Sequence, residues 1–178
     1  MLKVRGNAWF YGERADFYTH NSFMGECRFF HNTRFLGQAT FDKEINGTVL
    51  RARWGDICEY YISDKKYEPG TLVMFGGEKE VTISNGRTVN GIVTTKPGFI
   101  LNGDATNSNE ISVGIALSGK VPVKVVGVVR KFDKLVTDFV NKGYARARKW
   151  YEFWKRPIGI ALNDNHNGMV DCVTKMKF

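Results

Sequence analysis

An all-β chain is what the sequence predicts, and three observations carry that prediction. Aromatic residues recur every six positions near the N-terminus. Runs rich in Val and Ile follow, separated by Asn-Gly turns. Only one stretch, Phe132–Lys142, offers convincing helical spacing, in a chain that is 43% apolar over 178 residues. The expected organisation is a hexad-repeat β shaft over residues 1–45 and a C-terminal β head over residues 46–178.

The hexad runs Tyr11, Phe17, Phe23, Phe29, Phe35 and Phe41 without a slip. Helical geometry advances about 100° per residue, so six residues bring a side chain round by about 240°, and no single helix face collects these rings. A strand alternates with period two, so six residues return to the same face. Small or medium residues (Ala15, Asn21, Cys27, Thr33, Ala39) sit two positions before successive Phe residues, and Gly25 and Gly37 fit bends between short strand pieces. A β-helix or β-prism is the expected form. A solitary left-handed coil would complete barely two turns over this length, fewer than the roughly three units a stacked repeat needs. Three chains winding about a common axis bury the rings instead. Each buried Phe contributes roughly 1.5–3 kcal/mol, which favours a homotrimer.

In the head, Thr71–Phe75, Glu80–Ser84, Val89–Thr95, Ile111–Leu117 and Val121–Arg130 read as strands, and a last one runs Met169–Met176. Asn-Gly pairs at 46–47, 85–86, 90–91, 102–103 and 167–168 supply the turns. Phe132–Lys142 fits a helix through Leu135, Val136, Phe139 and Val140, with Gly143 as its C-cap. It fits a hairpin equally, because KFDKLV also reads as turn then strand. The head is therefore expected to be a compact β-barrel or sandwich.

Charge is concentrated. Between Lys120 and Arg156 stand 11 basic residues against Asp133, Asp138 and Glu152, and this stretch holds the whole net charge of +8. Its densest part, YARARKWYEFWKR, interleaves Tyr144, Trp150 and Trp154 with Arg146, Arg148 and Lys149. Aromatic faces stack on sugars or bases and cations pair with phosphate, so these six residues are the candidate receptor contact. A host surface glycan is one partner this composition fits and nucleic acid a less favoured one. The alternative is a structural or subunit-contact role in which the rings cover the barrel and the cations extend around them.

Other chemistry is thin. Cys27, Cys58 and Cys172 are odd in number and lack a CxxC, which indicates neither a disulfide framework nor a zinc ribbon and fits a reducing compartment. His20, His31 and His166 lack metal-ligand spacing, and no phosphate-binding glycine loop occurs, so no metal and no cofactor are expected. The opening MLKVRGNAWFYGER lacks the apolar core of a secretory signal, and no apolar run approaches the ~20 residues of a membrane span.

The runs NSFMGE and TRFLGQATF resemble the repeats of trimeric phage tail-fibre shafts. The succession RARWGDICEYYISDKKYEPGTLVMFGGEKEVT, VNGIVTTKPGFILN and GIALSGKVPVKVVG resembles a C-terminal domain at the ends of phage fibres and tailspikes. That domain is similar to the autocleaving intramolecular chaperone (peptidase G2-like) domain of Bacillus phage pre-neck appendage proteins. The resemblance covers most of residues 17–130, and GYARA and GMVDCVTKMKF more weakly. It implies a virion structural protein, assembled in the host cytoplasm, that contacts itself and other virion proteins. It also implies an acidic motif beside which some members cut themselves, matched here by Asp56 and Glu59. A carboxylate pair would serve as acid and base in such a cleavage. The first expectation is nonetheless a structural protein rather than an enzyme, with these carboxylates in a solvated turn or bonded to backbone N–H groups.

Overall fold

A computed structural model of the chain describes residues 52 and 55–175, except residue 108. The chain separates into two units, Met1–Gly47 and Thr48–Phe178, and the described residues belong to the second. The hexad aromatics and the trimeric shaft expected over residues 1–45 lie outside the described residues.

Ten strands form one sheet: β1 (Asp56–Ile62), β2 (Leu72–Phe75), β3 (Val81–Ile83), β4 (Gly91–Val93), β5 (Phe99–Leu101), β6 (Ser112–Lys124), β7 (Lys134–Thr137), β8 (Ala145–Ala147), β9 (Gly159–Ala161) and β10 (Met169–Lys175). Among the described residues the only helical element is a short 3-10 turn, Gly103–Asn107, and no helix is long and apolar enough to cross a membrane.

The long strand β6 organises everything else. Along one edge it pairs antiparallel with β1, from Asp56 opposite Gly119 to Ile62 opposite Ser112. Along its other edge it meets β4 first, where Ile92 faces Ala116, and then β10, where Met169 faces Lys124. The β4 side continues to β2 and β3, and the β10 side to β9, β7 and β8. A parallel bridge between Val125 and Ala145 brings the last of these back to the end of β6. The expected barrel or sandwich is thus a single sheet that curls upon itself, built mainly of antiparallel pairs.

One irregularity in β6 divides the core in two. Ile57 faces Ser118 while Cys58 faces Ala116, so Leu117 has no partner on β1 and the strand bulges. Side chains alternate between faces, and one extra residue reverses the parity beyond it. Val113 and Ile115 accordingly pack with Tyr67, Val73, Val81 and Val93. Ala116 and then Val121, Val123 and Val125 pack on the other face with Leu72, Leu135, Val170 and Cys172. Gly119 follows the bulge at φ 113°, where a Cβ would fall 2.8 Å from the Asp56 Cα. The two strands expected over Ile111–Leu117 and Val121–Arg130 are therefore one, because Ser118-Gly119-Lys120 bends the strand without ending it.

The helix reading of Phe132–Lys142 is corrected to the hairpin reading. Leu135 and Val136 are buried in β7, but Phe139 and Val140 stand out in solvent, so the four never share a buried face. Asp138 closes the turn after β7 by accepting hydrogen bonds from the backbone N–H groups of Val140 and Asn141 at 3.0 and 2.6 Å. Gly143, at φ 81°, ends that turn rather than a helix.

Candidate functional site

Asp56 and Glu59 lie on β1, not in a solvated turn. Three residues apart on a strand, they leave opposite faces. Asp56 is only 3% exposed, and its Oδ2 is buried with no hydrogen-bond partner. It lines a cavity of about 460 Å³ with Thr94, Lys120, Asp171 and others. Two of the charges lining it are paired with each other, Lys120 Nζ lying 2.8 Å from Asp171 Oδ2. Glu59 instead accepts a 2.7 Å hydrogen bond from the Tyr61 hydroxyl. Within one chain the two carboxylates do not converge on a shared point. Cys58 lies between them, buried; its burial, with the Asp56 charge second, pushes the thiol up to about 12.

The basic-aromatic run is more ordered than its composition implies. Arg146 sits on β8, and its guanidinium grips Glu152 through two hydrogen bonds of 2.7 and 2.6 Å. Lys155 Nζ donates to the same carboxylate at 2.8 Å and the Lys149 backbone N–H at 3.0 Å. Asp138 approaches Arg146 at 3.6 Å from the β7 turn. Hydrogen bonds from Arg146, working against the cost of burial, hold the Glu152 carboxyl far below the usual carboxylate range. Arg148 donates to the backbone carbonyl of Lys155 at 3.2 Å.

The loop fixed in this way raises its rings outward. Trp150 is 90% exposed, with Phe153 and Trp154 also in solvent. Trp150 meets Tyr151 edge-on at 5.6 Å between ring centroids, and Phe153 meets Trp154 edge-on at 5.3 Å. Of the six candidate contact residues, Trp150 and Trp154 present exposed rings, and Lys149 is exposed with its Nζ 5.7 Å over the Tyr151 ring. Arg146 and Arg148 are occupied within the loop, and the half-buried Tyr144 lies under Lys124 Nζ at 5.8 Å. Sequence reasoning missed Glu152 as the organiser. Its signal was a single acid inside a run of cations, which placed the pairing partner in plain view.

Among the described residues no group of three or more His, Cys, Asp or Glu side chains could hold a metal ion.

No family model matches the sequence, and no curated protein matches it either. The likeness that is found is to solved structures from bacteriophage phi29. The pre-mature bacteriophage phi29 gene product 12 superposes at a TM-score of 0.55 and 14% identity, covering 76% of this chain and 24% of that one. The C-terminal fragment of the same gene product superposes at 0.47 and 15%, covering 68% of this chain and 100% of the fragment. This chain thus spans about a quarter of the longer protein, and the likeness is one of fold.

Proposed function

We propose that the protein is a structural component of a phage virion, a homotrimeric short fibre or fibre tip that acts in assembly and host attachment. The observation that carries this reading is the pairing of a six-residue aromatic repeat with a sheet of the phi29 gene product 12 fold in one chain. A second feature supports association. Among the described residues edge strand β5 pairs only with β1, and its three consecutive side chains Phe99, Ile100 and Leu101 are all exposed, with exposed Ile57 opposite Phe99. Unpaired apolar edges of this kind are covered in stable proteins, and a second copy is the simplest cover. Sedimentation at micromolar concentration tests the reading: a trimer is expected, and a monomer that binds hydrophobic dye overturns it.

A self-cleaving chaperone is the second reading, favoured by the unpartnered Oδ2 of Asp56 immediately after Gly55. Because Glu59 faces away from Asp56 in one chain, this reading needs a rearrangement or a neighbouring copy to bring a second group to the bond. Electrophoresis decides it. Cleavage gives two fragments from wild type and one intact band from Asp56→Asn or Glu59→Gln, whereas intact wild type removes it.

A further inference from the structure

A second cavity, of about 770 Å³, opens between the 86–92 segment and the chain following the aromatic loop. That volume lies within the range of small-molecule sites, roughly 300–1,000 Å³. Its floor is apolar, built from Ile92, Val136 and Ile158, and its rim carries Arg87, Lys155 and Arg156. No Asp or Glu lines it. Lys155 is spoken for by Glu152. Arg87 lies 5.4 Å over the Phe139 ring, so it is positioned, yet no carboxylate pairs with it or with Arg156 among the described residues. Two guanidinium groups on one concave surface, with no carboxylate lining it, set up a local positive potential. Guanidinium binds carboxylate and phosphate as a two-pronged donor.

Neutral polar groups complete the lining. Thr88 and Asn90 also line the cavity; the Asn90 Oδ1 accepts from the Phe75 N–H at 3.1 Å, which fixes the amide and leaves its NH2 to donate elsewhere. An anion on a hydroxylated body with an apolar face matches this set: the charge meets the two guanidinium groups, the hydroxyls meet Thr88 and Asn90, and the C–H face lies on the floor. Neither a bare ion nor a purely apolar ligand uses all three.

We infer that this cavity binds an acidic saccharide unit, bearing a carboxylate or a phosphate, with Arg87 and Arg156 as its charge partners. The inference deepens the attachment reading above, since it names the ligand class, and it places recognition beside the aromatic loop rather than on the loop's own arginines.

Titration calorimetry of the full chain tests it with glucuronate, glucose 1-phosphate, neutral glucose, inorganic phosphate and a thymidine oligonucleotide. At least one acidic sugar is expected to bind, and which of the two binds identifies the anion. Arg87→Gln and Arg156→Gln should each weaken it about tenfold or more, as loss of one charge-assisted contact implies. Lys131→Gln, an exposed cation elsewhere, should leave binding unchanged, and thermal melting should show all three variants folded. Failure of both acidic sugars to bind, equal binding of glucose or of phosphate alone, preference for the oligonucleotide, or indifference to both arginine variants overturns the inference. Sedimentation of the same samples separates the two proposals: a trimer without sugar binding loses only the cavity, and a monomer loses the fibre.

Discussion

The bend at Ser118–Lys120 in β6 and the loop from Arg148 to Pro157 both interrupt regular strand, and they are held by opposite means. At the bend the determinant is absence: Gly119 lies against Gly55 and Asp56, and no side chain fits between them. In the loop the determinant is one carboxylate, Glu152, which gathers Arg146, Lys155 and a backbone N–H around itself. Contact geometry protects the first from solvent conditions. Charge and hydrogen bonding hold the second, which should respond to pH and salt while the sheet does not. In the proposed fibre head, the exposed loop would be tuned independently of the sheet beneath it.

The largest expected effect tests the first half of that contrast. Gly119→Ala combines a φ that side chains rarely adopt with a collision against backbone, and should cost at least about 3 kcal/mol in chemical denaturation. Gly159→Ala, which would press into Cys172 Sγ and Val173, should behave alike. Losses under about 1 kcal/mol at both would mean that the sheet yields more readily than its geometry implies.

Glu152→Ala comes next. Removing the shared anion leaves the half-buried Arg146 beside Lys155 with no acceptor from the loop, and about 2–3 kcal/mol of destabilisation is expected. Tryptophan fluorescence should report the loop loosening before the sheet melts. A coincident transition would mean the loop and the sheet form one cooperative unit.

The third test uses acid. The folded-state value of Glu152 is depressed, so its contribution is fully present above the ordinary carboxylate value of about 4.3 and is lost as pH falls below it. The stability gap between wild type and Glu152→Gln should therefore close on acidification. The buried thiols behave with the opposite sign. Burial raises Cys172, as it raises Cys58, to about 12, so their contribution holds below about 8.5 and fades as pH rises toward 12. Alkylation of either thiol in the native protein at neutral pH should be slow, and rapid labelling would show that the sheet opens.

How much of this was legible in the sequence depends on what set each feature. The strands at 72–75, 81–83 and 169–175 follow from β-branched runs bounded by turn residues, a local signal. The continuity of β6 was not legible, because Ser-Gly within a strand reads as a turn until a partner strand shows that it is a bulge. The strands at 99–101, 145–147 and 159–161 are three residues each and owe their form to pairing rather than propensity. The aromatic loop was visible as composition, but its internal pairing was not. Charge counting sums Arg146 and Glu152 to nothing without saying that they touch.

The smallest expected effect isolates the loop surface. Trp150 is almost wholly exposed, and among the described residues its ring meets the edge of Tyr151, so Trp150→Ala should change folding stability by no more than about 0.5 kcal/mol. A large solvent-facing indole with so little structural consequence is conspicuous only if something outside the chain meets it. Iodide quenching of tryptophan fluorescence should fall in wild type once a partner covers the loop, and by less in the variant. A marked loss of stability in Trp150→Ala would instead make the ring part of the fold's own packing and remove the loop from the candidate contact surface.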